Sequence, residues 1–156
     1  MLNAVLREIN NYFFEYSSGS KQFSYSKDVT FTTNNTLIAS DFSDTFIVGE
    51  YILIENSRIN NGVFLITAID GTTITIDATL DLTITTEPER SVTLTKCFIP
   101  GELLALIEDV KTYDTNITTG LASESQGNRS VSYGDSSGWK KAFSSDLSIY
   151  KRLRWC

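Results

Sequence analysis

Apolar residues recur at two different periods along this chain, and the period switches twice. Near the start, Leu2, Val5, Leu6, Ile9, Phe13 and Tyr16 are spaced by three and four, which places them on one face of a helix. Asn3, Arg7, Asn10 and Asn11 fill the opposite side, and Ser17-Ser18-Gly19-Ser20 ends the pattern and opens a joint. From about Phe23 to Cys97 the period is two, and from Pro100 the helical period returns. A chain with this order is α+β: its helical ends enclose a β-rich middle.

Within the middle stretch Thr, Ile, Val and Phe dominate, and turn residues interrupt them at short intervals. Val29-Thr30-Phe31-Thr32 alternates, and so do Phe64 to Ile69, Ile74 with Ile76, and Val92 with Leu94. Tyr51-Ile52-Leu53-Ile54 is apolar on both faces, as a strand covered on both sides would be. Asp70-Gly71 predicts a tight hairpin because a primed turn needs positive φ, and Asn60-Asn61-Gly62 predicts a second turn for the same reason. The polar stretch from Thr79 to Arg90, with Pro88 inside it, reads as a long loop with room for a short strand. About six short strands at this spacing predict a small antiparallel barrel or sandwich.

At Pro100 a helix begins, since proline suits a first turn and Glu102 suits the positive end of the helix dipole. Leu103, Leu106, Ile107, Val110, Tyr113 and Ile117 form its stripe, and Gly120 is its expected stop. Val131 and Tyr133 alternate like a short strand. A last helix is expected after a Ser136 or Ser137 cap, with Trp139, Ala142, Phe143, Leu147 and Tyr150 on one face. The expected organisation is a helical unit from residues 1–20 and 100–149, an inserted β module at 21–99, and a basic, aromatic tail at 150–156.

Composition narrows the function. The chain has no histidine, the usual general base and transition-metal ligand, so an enzyme is not expected. Cys97 and Cys156 form no CxxC pair and are expected to be free thiols, with Cys97 buried as a small hydrophobe. Asp41 with Asp44, and Asp77 with Asp81, lack the spacing of a calcium loop; no catalytic, cofactor or metal site is expected. Arg7 and Glu8 interrupt the first apolar stretch, so it does not read as a signal peptide, and no run approaches the roughly 20 residues that span a bilayer. The net charge of −6 is unevenly distributed: the segment from Trp139 to Cys156 carries +4 and residues 1–138 carry −10. An acidic body with a basic end does not suit wrapping of nucleic acid; it suits a C-terminal end that meets an acidic partner, or a solvated basic helix face.

The C-terminal third combines several short motifs in order. A helix opened by Pro100 leads to Ser123-Glu124-Ser125 and Gly127, then to Ser130-Val131-Ser132-Tyr133, a short helix and Tyr150-Lys151-Arg152-Leu153-Arg154-Trp155. This series resembles the head–tail connector (adaptor, or head-completion) proteins of long-tailed bacteriophages that infect Gram-positive hosts. The resemblance covers residues 100–156 and, more weakly, the first helix. The smaller members of that family are mainly helical, so the β insertion is a departure. Its Phe46-to-Ile54 and Asn60-to-Phe64 pattern looks like small β modules of other phage neck and tail proteins.

The resemblance implies a structural virion protein, assembled in the host cytoplasm and located at the neck. Such subunits form a homo-oligomeric ring of about twelve copies by repeated head-to-tail contacts. The ring would join the portal protein to a stopper or tail-terminator protein, with DNA passing through the lumen without sequence-specific binding and with no membrane contact. The family's C-terminal segment reaches toward the portal, which puts a portal interface at Tyr150, Lys151, Arg152, Leu153, Arg154 and Trp155; Arg and Trp are frequent interface anchors. The alternatives are a tail-completion or stopper protein, and a host- or glycan-binding β module presenting Tyr25, Tyr51 and Phe64.

Overall fold

The computed structural model describes residues 1–17, 20–21, 24–32, 35–39, 45–77, 85–118, 123–126, 129–132 and 138–152. In chain order the elements are α1 (Leu2–Ile9), β1 (Tyr16–Ser17), β2 (Ser20–Lys21), β3 (Ser24–Phe31), β4 (Thr36–Ala39), β5 (Tyr51–Glu55), β6 (Gly62–Asp70), β7 (Thr73–Ile76), β8 (Thr85–Cys97), α2 (Gly101–Thr118), β9 (Ser123–Gln126), β10 (Arg129–Ser132), α3 (Gly138–Ala142) and α4 (Ser144–Ser148). The fold is α+β. It divides into two compact units, one formed by Met1–Asn11 with Pro100–Cys156 and the other by Tyr12–Ile99.

In the second unit six strands pair in the order β3-β4-β7-β6-β5-β8, all antiparallel, and β8 pairs back onto β3. The sheet thus curls until it closes, which leaves none of the six strands as an edge. Strand alternation decides what goes inside. Ile74 and Ile76 of β7 are buried while Thr73 and Thr75 are only half-buried. Ile52 and Ile54, Phe64 and Ile66, and Val92 and Leu94 extend the same interior from β5, β6 and β8. Burial of each such side chain contributes about 1.5–3 kcal/mol, so the filled interior is the main stabiliser of this unit. β5 is buried on both faces, as its composition predicts: Leu53 points outward yet is buried along with its cross-strand partners Val63 and Thr95.

The Asp70-Gly71 signal marks a real hairpin, shifted by one residue. Asp70 pairs with Thr73, so Gly71 and Thr72 form the two-residue loop. Gly71 has φ +54 and Thr72 does not share the positive φ, the pattern of a type II′ turn. At the other turn, Asn61 brackets Ser57: its Oδ1 accepts the Ser57 N–H at 3.0 Å and its Nδ2 donates to the Ser57 carbonyl at 2.7 Å.

The expected loop from Thr79 to Arg90 is corrected over its second half. Residues 85–90 open the 13-residue strand β8, and residues 79–84 lie outside those described. Pro88 is accommodated because the pairing slips there: Lys27 faces Val92, whereas Val29 faces Glu87.

In the first unit, α1 is shorter than its apolar stripe predicts. It stops at Ile9, and Asn10 turns left-handed at φ +53. The Asn10 N–H then donates to the Arg7 carbonyl and the Asn11 N–H to the Leu6 carbonyl, which closes the helix as a Schellman motif. Phe13 and Tyr16 therefore do not lie on the helix; Val5, Leu6 and Ile9 are its buried residues. α2 buries Leu103, Ile107, Val110 and Tyr113, and the Pro100 carbonyl accepts its first N–H bond, from Leu104. β9 pairs with β10 as a hairpin, Ser123 opposite Ser132. The single last helix expected from the sequence is two short ones, α3 and α4, broken at Phe143. Phe143 is buried edge-on against Tyr113, with ring centroids 5.5 Å apart, and Leu147 buries the next turn. The proposed Gly120 stop and Ser136 or Ser137 cap lie outside the described residues.

Candidate functional site

The base of the C-terminal segment is tied to the end of α1. The Arg152 N–H donates to the Ile9 carbonyl at 3.1 Å, and Asn11 Nδ2 donates to the Tyr150 carbonyl at 3.1 Å. Both bonds depend on the Asn10 turn. A helix end leaves carbonyls without intrahelical partners, and the left-handed residue directs the Asn11 side chain away from the helix axis. Tyr150 is half-buried; Lys151 and Arg152 are exposed. Two cationic side chains thus leave the molecule at the negative end of the α1 dipole, where positive charge is favoured.

Further basic side chains lie close by. Arg7 is exposed in the last turn of α1. Lys140 of α3 pairs with Glu8 of α1 at 3.0 Å, its Nζ lies 5.8 Å from the Trp139 ring centre, and Lys141 is exposed beside it. Of the six residues expected to form the interface, Tyr150, Lys151 and Arg152 are placed here; Leu153, Arg154 and Trp155 lie outside the described residues. Sequence reasoning missed Ile9 and Asn11 as the anchor. The available signal was the Asn10-Asn11 pair at the end of a helical stripe, a common stop sequence.

The closed sheet carries a second polar arrangement. Lys96 and Ile52 are opposite one another, so the Lys96 side chain shares the inward face near the end of β8. Its Nζ lies 2.6 Å from Glu50 Oε2 and 5.3 Å from the Phe98 ring centre. Oε2 is close enough for an ion pair but is not aligned for a hydrogen bond. Nothing in the sequence marks Lys96, which interrupts an alternating Thr-Leu-Thr run.

Other expected positions resolve plainly. Phe64, expected on the surface of the β module, is buried in the interior because its strand parity turns it inward. Tyr51 is half-buried, and the Tyr25 side chain lies outside the described residues. Asp77 is half-buried; Asp41, Asp44 and Asp81 are outside the described residues. Cys97 is a buried thiol, its Sγ 3.7 Å from the Thr95 carbonyl, and Cys156 is outside the described residues. Among the described residues no group of three Cys, Asp or Glu side chains is placed to hold a metal ion, and no helix is long and apolar enough to cross a membrane.

Comparison with protein-family models, curated proteins and solved structures finds no match to this chain.

Proposed function

We propose that this chain is a head–tail connector subunit of a long-tailed bacteriophage: one copy in a ring at the virion neck, joining the portal protein to a stopper or tail-terminator protein. The observation that carries the reading is the ordered series of motifs from Pro100 to Trp155. The anchored base of the tail supports it. Tyr150 and Arg152 are tied to α1 through the backbone, so the cationic side chains of Lys151 and Arg152 are presented outward. A segment held at its base loses less conformational freedom on docking than a free end does. The unit Tyr12–Ile99 contains five basic and eleven acidic residues, a net charge of −6 equal to that of the whole chain. Facing a lumen, such a surface would repel phosphates and let DNA slide past.

The test is co-sedimentation with DNA-packaged heads that carry a portal and lack a tail. Three chains are compared: full length, one ending at Arg152, and one ending at Ser148. The chain ending at Arg152 keeps both anchoring bonds and loses only the residues beyond them. Full-length protein is expected to bind, and each truncation to bind at least about tenfold more weakly, the loss of one or more interface anchors. If no chain binds heads, the connector reading fails.

The closed six-stranded unit favours one second reading, a tail-completion or stopper protein, since such proteins are β-rich throughout. Under that reading all three chains would assemble equally well onto necks that already hold a connector.

A further inference from the structure

We infer that the β9–β10 hairpin is a joint between copies of this chain: the outer edge of β10 on one copy pairs, antiparallel, with the outer edge of β9 on the next. β9 and β10 have four residues each, and among the described strands they pair only with each other. An antiparallel pair alternates between hydrogen-bonded and non-bonded residue pairs. Gln126 faces Arg129 across a two-residue connection, so that pair is bonded, and so is Glu124 with Val131. Ser125 with Ser130, and Ser123 with Ser132, are then the non-bonded pairs. Their backbone N–H and C=O groups point away from the hairpin, two residues on each outer edge.

A two-stranded hairpin alone is barely stable in water, and a third strand is a direct remedy. The eight residues include one apolar residue, Val131, so backbone pairing is what the hairpin has to offer a partner. Its edges lack common guards against pairing: the register runs through four pairs without a bulge, and neither strand contains proline or lysine. The charges select the partner. β9 carries one acidic residue, Glu124, and β10 carries one basic residue, Arg129. Two β9 edges joined with all their serine positions bonded would set Glu124 directly opposite its own copy, which is unfavourable. Two β10 edges joined together would leave every β9 edge open. β10 against β9 avoids the like-charge pair and occupies both edges of every hairpin. Bonding Ser132 to Ser123 of the next copy, and Ser130 to its Ser125, sets Val131 opposite Glu124 and places Arg129 diagonal to Glu124. Such a contact repeats from copy to copy and closes into a ring when the rotation allows. The inference rests on the connector reading only for that closure.

The test is disulfide trapping in the full-length chain. Cys156→Ser removes the terminal thiol, and Cys97 is buried. In that background Glu124→Cys and Val131→Cys are made in separate chains, mixed in equal amounts and oxidised, both in concentrated solution and with DNA-packaged heads. The mixture is expected to give a disulfide between the two different chains, because the two positions form a close, non-bonded pair across the joint. Each chain oxidised alone is expected to give none, since its thiol then faces an unaltered residue. Ser130→Pro, added to the Val131→Cys chain, removes an outward N–H and no bond within the hairpin. It should lower the yield of the mixed disulfide about tenfold, whereas Ser130→Ala should leave it unchanged.

Absence of the mixed disulfide both in solution and with heads overturns the inference, while head binding itself decides the connector reading separately. A mixed disulfide in solution without head binding upholds the joint and removes the connector reading. Glu124→Cys or Val131→Cys chains that cross-link alone as fully as the mixture would mean that like edges meet, and this also overturns the inference. So does a proline variant that cross-links as well as the alanine variant.

Discussion

Lys96 is the residue whose position is hardest to explain by burial alone. A lysine on the inward face of a closed sheet should be costly, yet Lys96 is buried and its Nζ lies 2.6 Å from Glu50 Oε2. Location at the end of the strand explains it. The aliphatic stem continues the apolar interior while the ammonium reaches the rim, where Glu50 is 29% exposed and Phe98 offers its ring face. The paired atoms are shielded from water, since Glu50 Oε2 is buried and the Lys96 side chain is 8% exposed, so the coupling is expected to exceed that of a surface pair and to reach about 1–3 kcal/mol. A double-mutant cycle of Lys96→Met and Glu50→Gln, read by urea unfolding, measures it. Lys96→Met keeps the stem and removes the charge, so its cost reports the loss of the ion pair and not a cavity. Coupling near zero would mean that the stem alone matters and the charge is held by solvent.

At the scale of elements, the β6–β7 hairpin shows how conformation and space make separate demands. A Cβ added at Gly71 would meet nothing within 4 Å, so packing permits alanine; φ +54 does not. Gly71→Ala is therefore expected to lower stability by about 1 kcal/mol through backbone strain, visible as a lower urea midpoint with an unchanged slope. An unchanged midpoint would show that the turn relaxes to another type. The hairpin was legible because its signal is local, and so were β5, a short run apolar on both faces, and β6 and β7, whose buried residues Phe64, Ile66, Ile74 and Ile76 alternate. Other elements were not legible, for identifiable reasons. The four-residue β4 is short, and the Asn34-Asn35 turn signal precedes it directly. β8 crosses Pro88, which reads as a loop until the slip in pairing is known. Phe13 and Tyr16 continue the helical spacing of α1 by coincidence, and the stop lay in Asn10, whose left-handed turn competes with that stripe. The basic tail was legible as composition. Its anchor was not, because the bond from Asn11 to Tyr150 joins positions 139 residues apart and no local pattern encodes it.

On the scale of the whole molecule, the two units differ in what they hold and in how the chain connects them. Tyr12–Ile99 has a filled interior, no free edge among its six closing strands, and all of the net charge. Its ends are neighbours: the Phe98 N–H donates to the Phe13 carbonyl at 3.2 Å, so the chain enters and leaves this unit side by side. A unit with adjacent ends and its own core is the kind that tolerates insertion into another fold, because splicing it in requires no rearrangement of either part. Residues 12–99, produced alone, are therefore expected to fold. Urea should unfold the fragment in one cooperative transition with a slope of about 1–2 kcal/mol per molar, appropriate to its size. A net charge of −6 should keep it soluble during the measurement. The decisive comparison is with Ile54→Ala in the same fragment. Ile54 is fully buried in the interior, so its truncation should cost about 2–5 kcal/mol if the sheet closes in isolation as it does in the full chain. A broad transition that ignores this substitution would show that the strands pair loosely without the rest of the chain, and that this unit depends on it for its packing.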